Sequence, residues 1–452
     1  MMKMEFTAIG SSLILSLAIT FMCGVAEIAP GLNCRSSDKI LNRKVGKRSH
    51  SVSFPLIHIY SECSPFRPPN RTWESLMSEK IRGDANRLRF LKRTSRSSKQ
   101  DANANVPVRS GSGEYIIQVD FGTPKQSMYT LIDTGSDVAW IPCKQCQGCH
   151  STAPIFDPAK SSSYKPFACD SQPCQEISGN CGGNSKCQFE VSYGDGTQVD
   201  GTLASDAITL GSQYLPNFSF GCAESLSEDT SPSPGLMGLG GGSLSLLTQA
   251  PTAELFGGTF SYCLPSSSTS SGSLVLGKEA AVSSSSLKFT TLIKDPSIPT
   301  FYFVTLKAIS VGNTRISVPG TNIASGGGTI IDSGTTITHL VPSAYTALRD
   351  AFRQQLSSLQ PTPVEDMDTC YDLSSSSVDV PTITLHLDRN VDLVLPKENI
   401  LITQESGLAC LAFSSTDSRS IIGNVQQQNW RIVFDVPNSQ VGFAQEQCAA
   451  PA

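Results

Sequence analysis

The sequence predicts a mostly β chain folded as two similar lobes, and three observations carry that prediction. Charged residues are only 16% of the 452, and stretches of Glu, Lys, Leu and Ala long enough for extended helices are scarce. Short β-forming runs separated by Gly-rich turns recur instead, as in EYIIQVDFG (114–122), CQFEVSYGDGT (187–197) and FYFVTLKAISVG (301–312). Third, an apolar run ending in Asp-Thr/Ser-Gly-Ser/Thr occurs twice, as TLIDTGSDVAW (130–140) and TIIDSGTTIT (329–338), 199 residues apart. Each copy is followed roughly a hundred residues later by two apolar residues and a glycine, Leu236-Met237-Gly238 and Ile421-Ile422-Gly423. A chain of this length also exceeds one ordinary hydrophobic core.

Taken in order, the first element is a targeting segment. Lys3 precedes an uncharged run from Phe6 to Val25, and Gly24 and Ala26 supply the small residues of a cleavage site. Residues 1–26 therefore read as a secretory signal peptide, against the alternative of a retained signal anchor, since Ser, Thr and Gly dilute the run. No later stretch is long and apolar enough for a bilayer-spanning helix, and the C-terminal EQCAAPA is no GPI signal, so no stable membrane association is expected.

Residues 27–100 form a basic leader, with 16 Lys+Arg against 6 Asp+Glu. Residues 101–452 hold 17 against 32, which makes a nucleic-acid partner improbable and a removable propeptide, paired by charge with an acidic body, the better reading. Its basic run RLRFLKRTSR begins at Arg87.

The body reads as an N-terminal lobe, 101–280, and a C-terminal lobe, 281–452. The chain has fifteen cysteines; twelve remain beyond the leader, and seven crowd between Cys143 and Cys187. An exported chain pairs an even set as disulfides, although spacing alone leaves the connectivity open. The run Cys143, Cys146, Cys149, His150 also has zinc-ligand spacing, a reading that an oxidising compartment disfavours. One helix is expected over 343–358, where Tyr345, Leu348, Phe352 and Leu356 fall on one stripe. Serine tracts at 266–271, 283–286 and 374–377 read as loops, and Asn217-Phe218-Ser219 is a glycosylation sequon, as is Asn70-Arg71-Thr72 in the leader.

The chemistry lies in the repeated acids. One aspartate after an apolar strand is ordinarily a turn former. Two of them, one from each lobe, suit a shared site in which burial and like charge leave one proton between them. The ionised carboxylate then takes a proton from a water, and the neutral one donates to a substrate carbonyl. Gly135 and Gly334 let backbone approach closely. Thr134 and Ser333 can bond across the lobe interface, while Ser136 and Thr335 can hold the outer carboxylate oxygens.

On these residues the chain resembles the pepsin-type (family A1) aspartic proteases, and more closely their cysteine-rich, nepenthesin-like plant branch. The match comprises Asp133-Thr134-Gly135-Ser136, Asp332-Ser333-Gly334-Thr335, Trp140, Val191 to Thr197 and the two apolar-apolar-Gly segments, and spans Gly113 to Cys448. The resemblance implies a bilobal all-β fold with two six-stranded-barrel-like lobes and a few short helices. It implies a secreted acid endopeptidase without cofactor or metal, monomeric, acting on proteins or peptides, in the apoplast or alternatively a vacuole or plastid. It places Tyr193 and Gly194 on a flap over the cleft, with Trp140 bonding to the flap. It also implies the disulfides Cys143–Cys146, Cys149–Cys222, Cys169–Cys187, Cys174–Cys181, Cys263–Cys448 and Cys370–Cys410.

Competing readings fare worse. A serine hydrolase lacks G-x-S-x-G, and the body offers only His150, His339 and His386. The run from Gly238 to Ser243 lacks the lysine of a phosphate-binding loop. The closest rival is an inactive, xylanase-inhibitor-like binding protein on the same fold, with a carbohydrate-binding β protein behind it. The intact acids, their glycines and Tyr193 favour the enzyme.

Overall fold

A computed structural model describes residues 51–448 except 69–70, 73–74, 77, 85–86, 89–113, 150–153, 178, 182–184, 193–197, 228–233, 267–269, 282–285, 321–322, 324–326, 365–366, 375–377 and 405. The expected signal segment, the residues Tyr193 and Gly194 expected on a flap, His150 and Asn70 lie outside the described residues. Chain contacts group residues 35–452 into one unit.

The protein is mostly β-strand with a few short helices, in the expected bilobal arrangement. EYIIQVDFG folds as the strand Tyr115–Phe121, paired antiparallel with Gln126–Asp133, which delivers the first acid at its end. The first apolar-apolar-Gly segment, Leu236–Gly238, lies parallel to that strand, with Gly238 opposite Asp133. The second copy repeats this arrangement, since Thr329–Ile331 lies parallel to Ser420–Ile422. At Gly238 a Cβ would meet Asp137 backbone, and at Gly423 it would meet the Ile337 carbonyl, so both glycines answer to close approach.

The expected helix is Pro342–Gln355, begun by a proline whose missing N–H costs nothing at that position. Ala344, Tyr345, Leu348, Ala351 and Phe352 face the core, and Leu356 is buried just past the end. The helix Ala250–Phe256 stops at Gly257, whose φ of 63° is the left-handed conformation glycine accepts freely.

The leader is woven into the body. Its strand Val52–His58 alternates buried and half-buried positions and pairs on one side with Ser271–Leu276, on the other with Tyr115 and Ile116. His58 meets Glu114 at 3.4 Å; burial pushes that carboxyl up, but His58 overcomes it and holds it low. Residues 78–84 and 87–88 are helical, with Ile81 packed among Ile337, Met367, Val425 and the Cys370–Cys410 pair.

Strand register also corrects the expected cysteine connectivity. Cys263–Cys448 and Cys370–Cys410 pair as expected, but the other four are Cys143–Cys222, Cys146–Cys149, Cys169–Cys181 and Cys174–Cys187. The strands Trp140–Gln147 and Gln213–Leu226 run parallel with Ile141 opposite Cys222, which brings Cys143 to a Cα separation of 5.4 Å from Cys222. Cys146 and Cys149 then close their own turn at 5.5 Å. Cys181 and Cys187 face each other across a strand pair, so each takes its partner from outside it, Cys169 and Cys174.

Candidate active site

Asp133 and Asp332 stand at equivalent strand ends and both are buried, at 0% and 1% exposure. Both contact one nitrogen, Arg87 Nη2, which lies 3.2 Å from Asp133 Oδ1 and 2.5 Å from Asp332 Oδ2. Those two oxygens are therefore at most 5.7 Å apart, the sum of the two contacts. The carboxylates, 199 residues apart in the chain, share one small space.

The surrounding residues hold them there. Gly135 N–H donates to Asp133 Oδ1 at 2.9 Å, and Gly334 N–H donates to Asp332 Oδ1 at 3.0 Å. A Cβ on Gly135 would fall on Arg87 Nη2 and lie 2.9 Å from Asp332 Oδ1; one on Gly334 would fall on Asp133 Oδ1. Each glycine is thus the floor under the opposite acid. Thr134 N–H donates to Ser333 Oγ at 3.1 Å and Ser333 N–H to Thr134 Oγ1 at 2.9 Å, a reciprocal tie between the two loops. Thr335 Oγ1 donates to Asp332 Oδ2 at 2.6 Å, as expected. Ser136 does not mirror it. Its buried hydroxyl makes no hydrogen bond among the described residues, nor does Asp133 Oδ2; Arg87 and Gly135 both engage the other oxygen of that acid.

Trp140 is buried with Phe189, Val191, Val199 and Leu236, and Phe189 and Val191 lie on the strand Cys187–Ser192. Asn217 is exposed at a positive φ of 59° on the strand Gln213–Leu226. Among the described residues no helix is long and apolar enough to cross a membrane.

Electrostatics follow from this packing. Burial pushes Asp332 up to about 6, against the pull of Arg87 and with a further push from Asp133. Burial opposes the Arg87 charge, but Asp332 and then Asp133 overcome it, and its pKa is raised. Of the guanidinium nitrogens, buried Nε and Nη1 find no hydrogen-bond partner among the described residues.

Several site residues were not singled out by sequence reading. Gln427 Nε2 donates to the carbonyls of Asp332 and Ile422 at 2.9 and 2.8 Å, and Tyr262 O–H donates to its Oε1 at 2.5 Å. Asp137 accepts from Gly242 N–H at 2.8 Å and from Thr300 Oγ1 at 2.6 Å, and burial pushes its carboxyl up. Leader residue Asp84 accepts from Thr336 and Ile337 N–H and from His339. The one signal in the sequence was the charge imbalance of the leader, whose basic run begins at Arg87.

His386 joins Ser310 at 2.8 Å and Asp392 at 2.7 Å. Ser310, however, is ladder-paired on both sides, opposite Arg315 and Thr384, so its strand offers no free pair of N–H donors for an oxyanion.

Comparison with known proteins agrees with the geometry. The family described as "Xylanase inhibitor N-terminal" matches residues 115–278, and "Xylanase inhibitor C-terminal" matches 301–445. Aspartic proteinase nepenthesin-1 of Nepenthes gracilis is 39% identical over 77% of this chain and 81% of its own length. The Arabidopsis thaliana protein named aspartic protease in guard cell 2 is also 39% identical, over 75% of this chain and 73% of its own. Among solved structures, conglutin gamma, a basic 7S globulin from lupine seeds, superposes with a TM-score of 0.64 at 21% identity, covering 88% of this chain and 96% of its own. That likeness bears on fold alone. The chain belongs to the pepsin-type aspartic protease family, in its nepenthesin-like plant branch.

Proposed function

We propose that the protein is a secreted aspartic endopeptidase that cleaves peptide bonds at acidic pH, with Asp133 and Asp332 as its catalytic pair and residues 27–100 as an inhibitory propeptide. The observation that carries this reading is the approach of both carboxylates to a single guanidinium nitrogen. Once Arg87 leaves, two acids this close retain one proton between them. The ionised member takes a proton from water, whose oxygen attacks the peptide carbon, while the neutral member's proton passes to the carbonyl oxygen. The tetrahedral intermediate then returns its hydroxyl proton to a carboxylate, the amine leaves with a proton from the pair, and the acids regain their starting state. The Thr134–Ser333 tie and the two glycine N–H groups hold the acids in place through the cycle.

The substrate binds extended between a lobe of about residues 101–280 and one of about 281–452, beneath a flap carrying Tyr193 and Gly194 that Trp140 supports. The enzyme works as an exported, disulfide-bonded monomer, in the apoplast rather than vacuole or plastid, and carries glycan on Asn217.

The test is digestion of unfolded protein by the acidified full chain, with and without pepstatin. Pepstatin-sensitive cleavage is expected. Tight binding to a xylanase with no cleavage at any acidic pH would replace the enzyme by the inhibitor-like alternative.

A further inference from the structure

Asp84 of the leader sits in a pocket made wholly by the body. Its Oδ1 accepts from Thr336 N–H at 2.9 Å, and its Oδ2 accepts from Ile337 N–H at 3.0 Å and lies 3.2 Å from His339 Nε2. The carboxylate is 1% exposed, and Arg87, whose charge also feels Asp84, makes its ion pairs with Asp133 and Asp332. The donors are rigid. Thr336 directly follows Thr335, which grips Asp332, and its carbonyl accepts from Val425 N–H at 3.0 Å. His339 lies on the strand Thr338–Leu340, held between Phe413–Ser415 and Ser420–Ile422.

We infer that Thr336 N–H, Ile337 N–H and His339 form a carboxylate-binding subsite of the cleft, which Asp84 fills in the full chain and an acidic substrate side chain fills during hydrolysis. The inference rests on the peptidase reading and adds a substrate preference to it. Two backbone N–H groups and an imidazole converging on one point suit an ionised carboxylate, whereas a carboxamide can present only one accepting oxygen to them. When the leader departs, all three donors lose their acceptor together, and a bound substrate that covers them and supplies one is favoured over one that does not.

Position follows from the subsite's own place. Thr336 directly follows Thr335, whose hydroxyl bonds the Asp332 carboxylate, so the subsite begins about 3.8 Å of backbone beyond a group that touches the acid. An extended substrate advances about 3.3 Å per residue, so the acidic residue falls within about three residues of the scissile bond.

The experiment uses the acidified full chain and peptide pairs differing only by Glu or Gln at each of three positions on either side of the cut. The assay is run at pH about 5, where a glutamate of ordinary pKa about 4.3 is mostly ionised. At one position the wild type is expected to favour Glu in kcat/KM by about 10- to 100-fold, the range of a charge-assisted hydrogen bond. In His339→Leu the ratio should fall to within about twofold of unity, and His339→Gln, which keeps an N–H donor, should restore part of it. A wild-type ratio near unity at every position overturns the subsite, as does a ratio that survives His339→Leu. The wild-type ratio decides the matter even if the leucine variant does not fold. Cleavage without a Glu preference defeats the subsite alone, whereas no cleavage of any peptide defeats the peptidase reading with it.

Discussion

Replacing Arg87 by methionine keeps most of the buried side-chain length and removes the charge that spans the two acids. In the full chain the guanidinium makes two charge-assisted contacts, at 3.2 and 2.5 Å. Each such bond contributes about 1.5–3 kcal/mol. Against them stand the desolvation of a cation that is 2% exposed, and two nitrogens without partners. The difference leaves about 2–3 kcal/mol of leader affinity in Arg87, or roughly 30- to 150-fold in the fraction of molecules with an open cleft.

The pH dependence has a definite sign. Relative to the ordinary aspartate value, Asp332 is raised to about 6, so its own contribution to folding is full below about 4 and is lost as pH rises through about 6. Arg87, however, draws that carboxyl downward from where burial and Asp133 would set it, so the Arg87–Asp332 pair itself favours the ionised acid. The contribution of Arg87 to leader affinity is therefore present where Asp332 is ionised and is lost as pH falls through about 6, by up to about tenfold per unit. The assay is the initial rate on a fluorogenic peptide after dilution of full chain to a series of pH values, before the leader can be cut. Wild type should stay latent above pH about 6, and Arg87→Met should show an early burst there, while Arg87→Lys lies between. An Arg87→Met chain as latent as wild type at every pH refutes the reasoning.

Asp133→Asn and Asp332→Asn should each abolish proteolysis while circular dichroism shows an intact fold. Ser333→Ala removes the acceptor of Thr134 N–H and strands a buried donor, a loss of about 1–3 kcal/mol readable as a lower denaturant midpoint. Asp137→Asn keeps both bonds, its oxygen accepting from Gly242 N–H and its amide donating to the Thr300 hydroxyl. Because burial raises Asp137, the wild type loses stability as pH rises past the ordinary aspartate range, so the asparagine variant should show a flatter stability–pH curve. Peptide mapping under non-reducing conditions should find Cys143 linked to Cys222 and Cys174 to Cys187.

The repeat was legible because its spacing is a property of the chain itself. Two acids, each ending an apolar strand and each followed by a Gly-terminated partner strand, announce two lobes and one shared site. The helix stripe at Tyr345, Leu348 and Phe352 was equally readable. The cysteine pairs of the insertion were not. Cys143–Cys222 depends on which residue of one strand faces which of another, as with Ile141 and Cys222, and no local pattern encodes that register; with Cys143 so engaged, Cys146 is left to Cys149. Arg87 and Asp84 were hidden for a related reason. One is among many cations in a basic run and the other an isolated acid, and only the fold shows that both end on the segment from Asp332 to His339. The Ser136 bond is missing although Asp133 Oδ2 is left without a partner among the described residues, so the repeat of residue types does not carry the hydroxyl contact from Thr335 to Ser136.

The placement of Val52–His58 inside the sheet has a cost for maturation. Six residues of that strand are matched to Ser271–Leu276, and its other edge meets Tyr115 and Ile116. Severing the chain beyond Arg87 would not by itself dislodge it. Were the strand drawn out, two bare backbone rims would face water, an invitation to self-association. On the proposed propeptide reading, a processed enzyme must therefore either travel with the cut strand still stitched in place, or knit those rims to another segment as it leaves.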